Sequence, residues 1–212
     1  MAYKHFYHYT NGDALRKIFN QESEDNGLRP TRRFIFLHCG RDLPEKAYDG
    51  AIWGMLEPRP EGYLKESWRD SVSIFEDCLE KAKSSIQPTY MLKVELAQED
   101  DVYVADWYVH FREGYEGTRS ENREAVYETK KAYWDSLVPL SEYKDGQYRL
   151  PEVICFSKIP VDRISIDLVI PGSEFDTYMR TGTFDPKALA RDEAAIHARN
   201  KRMAKFLKSS FK

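Results

Sequence analysis

Between residues 90 and 170 lie four runs of β-branched and aromatic residues, at 90–97, 102–109, 148–157 and 163–170, with one helix-compatible stretch, 119–134, among them. Parallel strands need a crossover connection between each pair, so this order points to antiparallel pairing. The runs 90–97 and 102–109, separated only by 98–101, are expected to form a hairpin. Upstream, residues 3–9 alternate aromatic and polar side chains and lead into Asn11-Gly12-Asp13, a turn and helix-cap cluster, so a strand followed by a short helix over 13–20 is expected. Residues 33–39 read as another strand closed by Gly40, and 41–68, rich in Pro and Gly, as loop with a short helix over 48–56. Val72, Phe75, Cys78 and Ala82 repeat at helical spacing and predict a helix over 70–84. A last helix is expected over 186–208, opened by Pro186 and carrying a stripe of Leu189, Ile196, Met203 and Leu207. The fold class is therefore α+β: one domain spanning 1–185, with the helix at 186–212 packed on it or extending from it.

A chain of 212 residues with 42% hydrophobic and 32% charged side chains can build one core and is not a disordered sequence. The net charge of −3 conceals an asymmetry: residues 186–212 hold eight Lys and Arg against Asp192 and Glu193, which leaves a net of −9 on the rest. A duplex-binding face is normally cationic, so the acidic body argues against generic nucleic-acid affinity while leaving room for one recognised base or strand. Cys39, Cys78 and Cys155 form no C-x-x-C pair and read as reduced core thiols, with neither a disulfide framework nor a metal site expected. The opening segment lacks the apolar core of a signal peptide, and no stretch approaches 18 apolar residues. A cytoplasmic protein without a membrane partner is expected, and signal-less secretion is compatible with that.

Nucleotide-binding glycine loops, zinc-protease and kinase signatures and the nucleophile elbow are all missing, which leaves carboxylates, a few histidines and many aromatics to carry any chemistry. Two stretches then stand out. Phe6-Tyr7-His8-Tyr9-Thr10, followed by a short helix and Gly27-Leu28-x-Pro30, resembles the opening of the ADP-ribosyltransferase-like superfamily, which includes diphtheria-type and DNA-modifying toxins. Leu150-Pro151-Glu152-Val153-Ile154-Cys155-Phe156, running on to Ile159-Pro160 and Arg163-Ile164, resembles the late strand on which those enzymes carry their catalytic glutamate.

The resemblance implies a split, antiparallel-rich sheet and an NAD-consuming transferase acting as a toxin or effector. Its acceptor would be a protein or a nucleic acid, and its counterpart an antitoxin or immunity protein. It implies that Glu152 steadies the ribosyl cation formed when nicotinamide leaves, that His8 bonds the adenosine ribose, and that Tyr9 and Thr10 hold the nicotinamide side. Rings such as Tyr9 and Phe36 would stack on nicotinamide. Arg41 and His38, after and at the end of the strand at 33–39, compete for the diphosphate. Trp53, Tyr63 and Trp68 are the rings expected over a ligand. Arginine-specific relatives carry Glu or Gln two residues before the catalytic Glu, where this chain has Leu150, so arginine is a disfavoured acceptor. An NAD glycohydrolase and a catalytically silent partner-binding domain remain the alternatives. All of this expects His8 and Glu152 to meet in a single cleft.

Overall fold

The computed structural model describes residues 3–20, 26–31, 45–59, 87–109 and 123–210. The expected strand 33–39 and helix 70–84, with Phe36, His38, Arg41, Tyr63 and Trp68, lie outside the described residues. Among the described residues, seven strands form one sheet: β1 His5–Asn11, β2 Ile52–Met55, β3 Thr89–Glu95, β4 Val102–Asp106, β5 Val138–Pro139, β6 Pro151–Cys155 and β7 Ile164–Ile170. Their order is β5-β4-β6-β2-β1-β3-β7, and every neighbouring pair is antiparallel. The helices among the described residues are α1 Gly12–Ile18, α2 Arg123–Asp135, α3 Phe175–Thr181 and α4 Ala188–Ser210, with 3-10 turns at Glu45–Tyr48, Val161–Arg163 and Gly172–Glu174. The molecule is thus α+β and antiparallel. No helix among the described residues is long and apolar enough to cross a membrane.

Side chains alternate along each strand, so the sheet carries a core on either face. One contains Tyr9, Trp53, Met55, Trp107, Tyr133 and Ile154. The other contains Phe6, Ile52, Leu92, Val104, Val153 and Ile159. β2 lies at the centre, where both faces are covered, and so reads as an unbroken apolar run, whereas β6 beside it is as deeply buried but carries Glu152. That is why 48–56 reads as a short helix in the sequence: four buried residues in a row carry no strand period, and the segment is instead the 3-10 turn followed by β2.

The expected hairpin is also corrected. β3 and β4 are separated by β6, β2 and β1, and the link 96–101 crosses between them. The link turns at residues 98–99, where the Asp100 N–H donates to the Ala97 carbonyl at 3.3 Å, and the Asp100 carboxylate holds it by accepting Ala97 N–H at 2.7 Å and both arms of the Arg163 guanidinium at 2.7 and 3.1 Å. Asp100 is nearly buried, with 3% of its side chain exposed against 22% for Arg163. Removing the cation strands a buried charge, so Arg163→Ala is expected to cost about 2 kcal/mol, read as a lowered denaturation midpoint.

At the C-terminal end, α4 docks by its first turns. Ala188 is buried, and the buried Asp192 carboxylate accepts the main-chain N–H of Ser173 at 3.0 Å. Leu189 and Ile196, members of the expected stripe, are half-buried, whereas residues 197–202 are exposed.

Candidate functional site

The sheet has a seam. β1 pairs with β3 along its whole length, from His5 opposite Glu95 to Asn11 opposite Thr89, but it meets β2 at one register position, Tyr7 opposite Met55. Gly54 allows that approach: a Cβ there would stand 2.4 Å from the Phe6 ring and 2.5 Å from the Tyr7 carbonyl oxygen. Beyond Tyr7 the two strands part, and His8 Nδ1 lies 2.7 Å from the Trp53 carbonyl oxygen. A carbonyl can only accept, so Nδ1 carries the hydrogen and the imidazole is held with a fixed tautomer at the point where the ladder stops.

A cavity of about 590 Å³ occupies this seam, lined by His8 and Thr10 from β1, Lys17 and Ile18 from α1, Arg29, and Trp53 from β2 among others. Local chemistry builds its walls. Asn11 ends β1 and caps α1, its side-chain oxygen accepting the N–H groups of Asp13 and Ala14 at 3.1 and 3.0 Å, which turns the helix back across the strands. The Gly27 N–H then reaches the Ile18 carbonyl at 2.8 Å. Gly27 adopts φ +87, and a Cβ there would meet the Ile159 carbonyl oxygen at 2.3 Å, so glycine is required on both counts. Leu28 and Ile159 exchange two main-chain bonds of 2.9 Å, and Thr31 and Ala51 two of 3.0 Å. The segment 26–31 is therefore a strap tied at both ends, and it joins the two stretches on which the family resemblance rests.

Among the described residues, the lining has an apolar floor of Ile18, Leu28, Ile52 and Trp53, with the exposed cations Lys17 and Arg29 and no carboxylate. In a body whose net charge is negative, such a cavity favours an anionic ligand with planar, apolar parts. Lys17 and Arg29 escape sequence reasoning because lone cations beside a helix and a turn carry no motif.

Glu152 is elsewhere. It sits on β6 between Met55 of β2 and Ala105 of β4, fully buried. The Tyr133 hydroxyl, from α2, donates to its Oε2 at 2.5 Å. Tyr133 is wedged between two indoles, edge-on to Trp107 at 5.6 Å and to Trp134 at 5.4 Å. Thr129 and Lys130, one turn earlier on α2, are buried as well.

The single cleft expected from the sequence is corrected by register. Tyr7, Met55, Glu152 and Ala105 stand opposite one another across four strands and share one face. His8, one residue on, points to the other face with Phe6 and Thr10. At the level of Tyr7 the carboxylate strand is two strand spacings away, about 10 Å. The cavity takes in His8 and Thr10 but not Glu152. Tyr9 follows the Glu152 face: its hydroxyl donates to the Pro58 carbonyl at 2.5 Å and its ring packs edge-on against Phe175 at 6.2 Å. Trp53 belongs to both places, lining the cavity and packing in the core that contains Tyr133. Compared with family models, curated proteins and solved structures, the chain matches none of them.

Proposed function

We propose that the chain is an NAD-dependent mono-ADP-ribosyltransferase, a toxin or effector that modifies a protein or nucleic acid. The observation that carries this is the seam: a tautomer-locked His8, a cavity whose described lining holds two cations and no acid, and a buried carboxylate two strands away on the other face, held on a sheet that parts between β1 and β2. Lys17 and Arg29 suit a diphosphate, and Thr10 and His8 suit ribose hydroxyls. Glu152 would steady the ribosyl cation as the bond to nicotinamide breaks, by fixed charge in a dry site. His8 and Glu152 occupy opposite faces of the sheet, so on this reading the nicotinamide end of NAD must cross the seam between β1 and β2 to reach the carboxylate. A basic α4 beside an acidic body gives a macromolecular acceptor a surface to approach.

The complete burial of Glu152 favours a second reading, a catalytically silent domain that holds a nucleotide or partner at the seam. NAD labelled in its adenylate separates them. Label on a macromolecule means transfer, free ADP-ribose means hydrolysis with water as acceptor, and intact NAD means the silent domain. For the transferase, His8→Ala is expected to raise KM for NAD about tenfold and to change kcat less, because the imidazole acts on binding and not on the breaking bond. A kcat loss with unchanged KM would move His8 into the chemical step.

A further inference from the structure

We infer that Tyr133 is the positioning residue of Glu152, an inference that rests on Glu152 being the catalytic carboxylate. An acid at the centre of a sheet is a poor choice for stability: its neighbours on β6, Val153 and Ile154, are aliphatic and equally buried, and a buried carboxylate costs free energy unless donors meet it. The chain keeps the acid and supplies a phenol from α2 at 2.5 Å. That phenol is itself held. The Tyr133 ring is fully buried, with interplanar angles of 87° to Trp107 and 77° to Trp134, so its hydroxyl has one place to be. A terminal carboxyl torsion is soft on its own. Pinning Oε2 fixes that torsion and sets where Oε1 lies, which is the geometry that charge stabilisation of a ribosyl cation demands.

The residue is a support and not a reacting group: α2 presents it to the carboxylate, and its ring contacts survive without the oxygen. Tyr133→Phe keeps those contacts and deletes only the donor. It is expected to lower kcat for NAD consumption by about tenfold, with KM within about twofold of wild type and a thermal midpoint that leaves the variant folded at the assay temperature. The decisive readout is a double-mutant cycle with Glu152→Gln. If Tyr133 acts through Glu152, adding Tyr133→Phe to Glu152→Gln lowers kcat no further. Wild-type kcat in the single variant, or the same tenfold loss repeated in the Glu152→Gln background, overturns the inference while leaving the transferase intact. A wild-type protein that consumes no NAD, or a Glu152→Gln variant with full activity, overturns the assignment of Glu152, and the inference falls with it.

Discussion

Glu152→Gln is expected to reduce NAD consumption by about a hundredfold or more, equivalent to about 2.7 kcal/mol of lost transition-state stabilisation, with KM for NAD changed less than about threefold. The direction follows from charge. Glutamine has nearly the shape of glutamate and its carbonyl oxygen can still accept from the Tyr133 hydroxyl, so β6 and its pairing with β2 and β4 are kept. What disappears is the negative charge, which matters little to a ground state and greatly to a ribosyl cation. A thermal melt run beside the kinetics divides the outcomes. A large kcat loss at an almost unchanged midpoint identifies a catalytic acid, whereas a shifted midpoint with wild-type turnover makes Glu152 a structural acid and returns the domain to a binding role.

Much of the fold was legible because its strands obey local rules. The alternation of 3–9, the Asn11 cap and the β-branched runs at 90–97, 148–157 and 163–170 correspond to β1, α1, β3, β6 and β7 within a few residues. Pairing was not legible. A link as short as 96–101 suggests a hairpin, yet both edges of β3 are taken by β1 and β7, and the link is held by Asp100 and Arg163, residues far apart in the chain. β2 hid for the opposite reason: a central strand of four buried residues has no polar face to show its period.

The site divides along the same line. Glu152 and His8 could be picked out one at a time from motifs, but their relation depends on register, and a single step along β1 decides which face each occupies. Tyr133, Thr129 and Lys130 carry no signal, since polar residues on the buried face of α2 look, in sequence, like residues of a solvated one. Trp53, which the Pro- and Gly-rich sequence around it marks as a loop residue, lies on β2 instead, where it lines the cavity and packs in the core that contains Tyr133.

Gly54→Ala is expected to destabilise the protein by about 3 kcal/mol or more, a fall of roughly 10 °C in thermal midpoint for a chain of this size. The added methyl would stand 2.4 Å from the Phe6 ring and 2.5 Å from the Tyr7 carbonyl oxygen. Neither neighbour can yield cheaply. Phe6 is completely buried in the core on one face, and the Tyr7 carbonyl belongs to the backbone of β1. Tyr7 opposite Met55 is also the one register pair between β1 and β2, so relief by strand separation would loosen the junction between the half-sheet β5-β4-β6-β2 and the half-sheet β1-β3-β7. The same movement would draw the Trp53 carbonyl away from His8 Nδ1, now 2.7 Å apart, and open the cavity wall. Stability and ligand affinity should therefore fall together in Gly54→Ala, whereas Arg163→Ala, which loosens the 96–101 link, should lower stability alone. Denaturant titration of both variants with and without NAD checks this: an alanine at 54 that melts like wild type would mean that the seam has slack, and that its narrow approach does not set the position of His8.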